Sequence, residues 1–217
     1  DRPMTQTAKH LHEIGLKYRL DKAYEHEYTL DFYPRHLEGI RDSAKLVIEI
    51  GIWNGGSLRM WSEYFSSAQL IGADIDLSRI DAPIPRCNLR YLDQSVPAQL
   101  RTAFEDVEFA SVDVLIEDGM HTARCQQTCF GVMFDYVKPG GLYIIEDLQT
   151  SLVWPTELNE RVTTLDLVQG LQADGRLDSD YIPQGVAQRL ESDIGDVFIY
   201  TRTSDYDKSV AAVICKL

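Results

Sequence analysis

The sequence predicts an α/β fold: a doubly wound, seven-stranded, mostly parallel sheet with an antiparallel last strand. Two observations carry the prediction. Between residues 45 and 146, short apolar runs alternate with helical stretches, the rhythm of strand–helix–strand crossovers. Two further β-rich runs, 196–202 and 209–216, are separated only by the turn-like segment 203–208, as in a terminal hairpin.

The elements follow in order. Residues 5–18 read as an amphipathic helix, with Leu11, Ile14, Leu16 and Tyr18 partly on one side. The charged segment 19–26 reads as a loop, and 29–42 as a second helix kinked near Pro34. Strand 45–50 leads through the glycine turn 51–56 into helix 57–66. Strand 69–74 follows, then the turn Pro83-Ile84-Pro85, strand 88–92 and helix 97–106. Strand 112–117 precedes helix 122–137, which stops at Lys138-Pro139-Gly140-Gly141 before strand 142–146. Residues 148–160 read as a loop and 161–173 as a helix. The organisation expected is one domain over 1–217, with 1–43 a helical cap over the carboxyl edge and 44–217 the sheet core.

Composition narrows the function. The 217 residues suffice for one α/β domain with a sizeable core. A net charge of −13 without a Lys/Arg cluster argues against a nucleic-acid partner. No apolar stretch approaches the roughly 20 residues that span a bilayer, so no membrane role is expected. No secretory signal is visible, and with Asp1 rather than Met at its start the chain is expected to be a trimmed form or a piece of a longer polypeptide. Cys125 and Cys129 share a helix face, but no second Cys/His pair has zinc-site spacing. They are expected as small buried hydrophobes rather than metal ligands, and with Cys87 and Cys215 the cysteine content fits a reducing, cytoplasmic location.

The chemistry-bearing residues fall at strand ends. Asp118-Gly119-Met120-His121 follows one apolar run and Glu146-Asp147 the next. In such sheets ligands bind outside the carboxyl ends of the strands. Asp118, Glu146 and Asp147 form an all-oxygen set suited to Mg²⁺, Mn²⁺ or Ca²⁺, with Mg²⁺ the default. The competing reading is capping, by Asp118 of the next helix and Asp147 of a turn, which would leave much unpaired charge. His121 is the candidate general base beside that cation, or else a solvated surface residue.

A nucleoside site is expected at the glycine turn. Gly51, Gly55 and Gly56, followed by Ser57, give G-x-x-x-G-G rather than the dinucleotide fingerprint. Glu49 before the turn suits a cationic group such as an amino-acid ammonium. Asp74 ends the second strand, where a carboxylate can accept ribose hydroxyls. Asp93 and Gln94 follow the third strand, near where an adenine would lie. Among other histidines, His12-Glu13 lacks a second histidine at zincin spacing. His26 and Tyr28 either line the cap side of the pocket or lie exposed.

These blocks carry a resemblance. Lys17-Tyr18 through Asp21-Lys22, His26-Glu27-Tyr28, Glu49-Ile50-Gly51 with Gly55-Gly56-Ser57-Leu58, Gly72-Ala73-Asp74-Ile75, Glu117-Asp118-Gly119-Met120-His121 and Pro139-Gly140-Gly141 through Glu146-Asp147-Leu148 span most of the chain. With them the chain resembles the S-adenosylmethionine- and Mg²⁺-dependent O-methyltransferases of antibiotic biosynthesis. Macrolide-sugar and rhamnosyl enzymes, and relatives called cephalosporin hydroxylases, make up that group. The resemblance implies a Rossmann-like class I methyltransferase fold, with S-adenosylmethionine and Mg²⁺ (or Mn²⁺) as cofactors. It implies metal ligation by Asp118, Glu146 and Asp147, with His121 as base. Cofactor contacts are implied at Glu49, Gly51 and Asp74, with Gly55, Ser57, Asp93 and Gln94 alongside. Met120 stands where a serine is common. The expected acceptor is a small-molecule sugar or polyketide hydroxyl, contacted by residues 150–195 and the first 40, where the match is weaker. The N-terminal helices look apolar enough to mediate self-association, and the chain is alternatively one domain of a larger biosynthetic protein. The rivals are a nicotinamide-dependent oxidoreductase, a non-catalytic accessory module and an oxygenase. The last needs two histidines and a carboxylate, and the strand ends offer one histidine.

Overall fold

The computed structural model describes residues 6–153, 160–203 and 208–217. Its strands are β1 (Leu46–Ile50), β2 (Gln69–Asp74), β3 (Cys87–Tyr91), β4 (Val112–Glu117), β5 (Val137–Ile145), β6 (Ile194–Thr203) and β7 (Lys208–Lys216). They form one sheet in the order β3-β2-β1-β4-β5-β7-β6. The first five are parallel, and β7 runs antiparallel to both β5 and β6. The central strands β1 and β4 are nearly continuous Val/Ile/Leu runs because helices cover both faces.

The helices are α1 (Gln6–Lys17), α2 (Asp21–Tyr24), α3 (Phe32–Leu37), α4 (Gly56–Tyr64), α5 (Pro97–Ala103), α6 (Ala123–Met133), α7 (Thr150–Val153), α8 (Thr164–Asp174) and α9 (Gln184–Glu191). One face of the sheet packs Val47, Val114, Ile116 and Ile144 against Leu11, Ile14, Phe32 and Tyr33 of the N-terminal helices and Met60 and Trp61 of α4. The other face packs Ile48, Ile50, Leu115 and Tyr143 against Leu100, Phe130, Met133, Val168 and Leu190 from α5, α6, α8 and α9. Residues 6–43 therefore share a core with the sheet, reaching its carboxyl edge through the segment around α2 and α3.

Several local expectations change. The segment 19–26 contains α2, too short for a periodic pattern to reveal. It holds because Leu20 and Ala23 are buried and the Asp21 carboxylate accepts from the Lys22 amide at 2.7 Å. The helix expected over 29–42 is confined to α3 and a following 3-10 turn, Glu38–Ile40. Lys138 to Gly141 lie inside β5 rather than in a turn before it. Pairing with β4 jumps from Val112↔Val137 to Val114↔Leu142, and Gly140 takes φ +75° in the looped-out stretch. The expected loop 148–160 holds α7, and its part 154–159 lies outside the described residues, as does 204–207 of the hairpin turn. Helix α9 was not anticipated at all. Cys125 and Cys129 are buried, as small hydrophobes would be, and all four cysteines are free. No described helix is long and apolar enough to cross a membrane.

Candidate active site

Side chains alternate between faces along a strand. Val47 and Glu49 of β1 therefore point the same way, toward the N-terminal helices, as do Ile116 and Asp118 past β4, and Ile144 and Glu146 past β5. The order β1-β4-β5 puts these ends side by side. Backbone bonds continue the register beyond the strands, Asp118 N to Ile50 O at 2.8 Å and Glu146 N to Glu117 O at 3.0 Å. Three carboxylates thus meet on one face of the carboxyl edge.

The cation among them is Lys22 of α2. Its ammonium is ion-paired with Asp118 and lies 2.7 Å from Glu146 Oε1 and 3.7 Å from Glu49 Oε1. Tyr33 donates its hydroxyl to the same Glu146 oxygen. Glu49 accepts from Ser57 Oγ at 2.7 Å. Burial pushes the Glu49 carboxyl up to about 7 against the pull of Lys22. Burial and the Asp118 charge raise Glu146 well above the ordinary range. Burial also opposes the charge on Asp118, but Lys22 and His121 outweigh it and hold that carboxyl below its usual value.

A second group faces outward. Asp118, His121 and Asp147 each offer a ligand atom, all within 4.8 Å of one another. His121 Nε2 is 3.3 Å from Asp118 Oδ1, and Nδ1 is 3.5 Å from Asp147 Oδ2. Burial alone would lower the imidazole pKa; the Asp118 hydrogen bond and the Asp147 charge reverse that and raise it to about 9. Asp147 sits at φ +55°, a strained conformation for a side-chain-bearing residue. Its Oδ1 accepts from Tyr28 OH at 3.2 Å and Gln149 Nε2 at 3.0 Å, and His26 Nε2 lies 3.8 Å away.

Two clefts open on this edge and share Gly51, Trp53, Asp118 and Gly119 as a common wall. The first, of about 290 Å³, is also lined by Asp74, Asp93, Gln94, Arg79 and Met120. The second, of about 580 Å³, adds Ser57, His121, Asp147 and residues Tyr18 to Lys22 of the N-terminal segment. Gly51 makes the wall thin: it takes φ +87°, and a Cβ there would lie 2.1 Å from the Asp118 carbonyl oxygen. Asp74 ties the turn down, its Oδ2 accepting from the amides of Ile52 at 2.8 Å and Trp53 at 3.0 Å.

Of the expected cofactor residues, Gly51, Asp74, Asp93 and Gln94 gather at the first cleft and Ser57 lines the second. Gly55 caps α4 at φ +78° and lines neither cleft. Glu49 is fully buried behind the wall, facing the second cleft through Ser57 and Lys22. Of the expected metal residues, Asp118 and Asp147 come together with His121, whereas Glu146 is buried on Lys22 and Tyr33. The sequence reading missed Lys22 and Tyr33. One signal was available: Lys22, His26, Tyr28 and Tyr33 are chemistry-bearing residues in a short segment without the pattern of a surface helix.

No family model matches the chain. It is 40% identical over 150 residues to an 8-demethyl-8-alpha-L-rhamnosyl tetracenomycin-C 2'-O-methyltransferase of Streptomyces olivaceus, covering 65% of this chain and 38% of that protein. It is 33% identical over 199 residues to an L-olivosyl-oleandolide 3-O-methyltransferase of Streptomyces antibioticus, covering 81% of this chain and 50% of that one. The chain thus spans half the length, or less, of these relatives. The MycE methyltransferase from the mycinamycin biosynthetic pathway, solved in complex with Mg and SAH, superimposes with a TM-score of 0.74 at 28% identity, over 95% of this chain and 54% of that one. The sheet order, the antiparallel last strand and these relatives agree: the chain has a class I S-adenosylmethionine-dependent methyltransferase fold, and over most of its length it is similar to sugar and macrolide O-methyltransferases of antibiotic biosynthesis.

Proposed function

We propose that the protein transfers a methyl group from S-adenosylmethionine to a hydroxyl of a small natural product, a sugar or polyketide hydroxyl, with a divalent metal as cofactor. The observation that carries the reading is the shared wall. A cleft edged by the nucleoside-type carboxylates Asp74 and Asp93 meets, across Gly51 and Asp118, a second cleft holding His121 and Asp147. A methyl donor in one and an acceptor in the other would face each other there. That a relative of this fold holds Mg and SAH supports the same reading.

In this proposal Gly51, Asp74, Asp93 and Gln94 hold the cofactor, with Ser57, Gly55 and Glu49 shaping the turn beneath it. Asp118 and Asp147 hold Mg²⁺ or Mn²⁺, with Glu146 beside them. Two carboxylate oxygens and an imidazole within 4.8 Å fit a small oxygen-seeking cation. When bound, that cation supplies the positive charge that lowers the pKa of a nearby hydroxyl. His121 stands between Asp118 and Asp147, which favour its charged form; with a cation on those two carboxylates that preference would weaken, and the neutral imidazole would take the hydroxyl proton. Asp118 and the glycine wall hold the acceptor against the methyl donor, so positioning contributes much of the rate. The negative charge of the chain suits a small-molecule rather than a nucleic-acid acceptor. The setting proposed is the cytoplasm, as a homo-oligomer or as one domain of a longer polypeptide.

Isothermal titration of S-adenosylmethionine and S-adenosylhomocysteine, with Mg²⁺ and with EDTA, tests the proposal. Micromolar binding supports it and justifies screening glycosylated acceptors. Binding of neither ligand under both conditions overturns it in favour of an oxidoreductase or a non-catalytic module.

A further inference from the structure

The Lys22 side chain is 3% exposed, yet it comes from a four-residue helix rather than from the sheet core. Its ammonium meets carboxylates from three adjacent strand ends: Asp118 Oδ2, Glu146 Oε1 at 2.7 Å and Glu49 Oε1 at 3.7 Å. That Glu49 oxygen is buried and has no hydrogen-bond partner, so the charge it faces is the ammonium. Ser57 and Tyr33 donate hydroxyls to Glu49 and Glu146, but neutral donors do not cancel charge. Buried like charges repel strongly, and a buried carboxylate without a cation is costly. Carboxylate oxygens converging on one point are also what a divalent cation seeks.

We propose that the Lys22 ammonium is the resident counter-ion of the acid centre, balancing Glu49, Asp118 and Glu146 as a divalent cation otherwise would. Lys22 engages Asp118 through Oδ2 and leaves Oδ1 facing His121 and Asp147. The lysine thereby separates a permanent cation position from an exchangeable one. The inference rests on the metal reading of Asp118, His121 and Asp147, but not on methyl transfer.

The test is thermal unfolding of wild type, Lys22→Met and Lys22→Arg, each in EDTA and titrated with Mg²⁺ or Mn²⁺. Lys22→Met is expected to unfold at a lower temperature in EDTA. Divalent metal should then raise its Tm by more than it raises that of wild type. Lys22→Arg should keep wild-type behaviour. The double variant Lys22→Met/Glu146→Gln removes one stranded charge, so its Tm in EDTA should recover and its metal response shrink. This comparison also decides the matter if Lys22→Met alone does not fold. Three results overturn the proposal: a metal response equal in Lys22→Met and wild type, a Lys22→Met protein as stable as wild type in EDTA, or a double variant no more stable than Lys22→Met. A lysine that only fills space would lower Tm equally with and without metal. Failure of S-adenosylhomocysteine to bind would count against the methyltransferase reading and leave this comparison intact.

Discussion

Asp113 and Glu117 lie on the same strand, β4, and both are buried, but the two ends of the sheet treat them oppositely. Asp113, at the amino end, accepts from the amides of Lys45 at 2.7 Å and Leu46 at 2.9 Å, and is ion-paired with Lys138. Glu117, at the carboxyl end, accepts from Gln94 Nε2 at 2.6 Å and the Gly119 amide at 3.3 Å, and its Oε2 has no partner. Burial would raise both carboxyls. Lys138 and the two amides reverse the effect at Asp113 and hold it below its usual value, whereas Glu117 is pushed up to about 7. A completely partnered carboxylate is a structural part. At the same end as Glu117, Glu49 Oε1 and Gln126 Oε1 are also buried without partners, as are polar atoms of Trp61, Tyr64, Tyr143 and Thr164 elsewhere among the described residues.

The largest effect should separate chemistry from binding at the carboxyl end. His121→Ala is expected to lower methyl-transfer turnover by roughly 10²–10⁴-fold while S-adenosylhomocysteine affinity changes little. Initial rates and calorimetric titration of the same preparation check both. A variant that methylates at the wild-type rate would remove His121 from the role of base and leave the edge with a binding function only.

Next comes the wall between the clefts. Gly51→Ala places a Cβ 2.1 Å from the Asp118 carbonyl oxygen at φ +87°. The backbone strain alone should cost about 1–3 kcal/mol, and cofactor affinity should fall because the wall must shift. Urea unfolding and titration of S-adenosylhomocysteine measure the two losses. Wild-type affinity in this variant would mean that the two clefts do not serve one reaction.

The two ends also differ in how legible they were. The strand pattern gave the topology, and 69–74 and 112–117 match β2 and β4 to the residue, because buried parallel strands announce themselves as local apolar runs. Asp118, Glu146 and Asp147 were visible for the same reason, as acids ending such runs. Lys22 was not, since it meets Asp118 and Glu146 across 96 and 124 residues of chain, and no local period encodes such contacts. Nor does sequence decide which acid pairs with which partner. Strand parity sends Glu49 and Glu146 toward the N-terminal helices, and only the packed fold reveals the lysine waiting there.

At the amino end, Asp113→Asn should cost about 1–3 kcal/mol through its lost charge-assisted hydrogen bonds. The pH dependence has a definite sign. The folded-state pKa is depressed, so the stability that Asp113 contributes is present above the unfolded value of about 3.9. It is lost as pH falls through the lower folded value. Denaturant midpoints between neutral pH and strong acid should therefore fall more steeply for wild type than for Asp113→Asn. Parallel curves would show that Asp113 is not the partnered charge its contacts describe.

Glu117→Gln should have the smallest effect and the opposite slope. The folded-state pKa of Glu117 is raised to about 7, above the unfolded value. As pH climbs from 4.5 toward 7, the unfolded chain releases a proton that the folded chain keeps, so stability falls through that window. Glutamine carries no charge to bury, and its carbonyl can still accept from Gln94 or Gly119. In EDTA, wild type should lose stability relative to Glu117→Gln across this window, while below it the two should differ little. Equal slopes would mean that the orphaned oxygen at the carboxyl end is compensated after all, and that the difference between the two ends of β4 is one of geometry and not of charge.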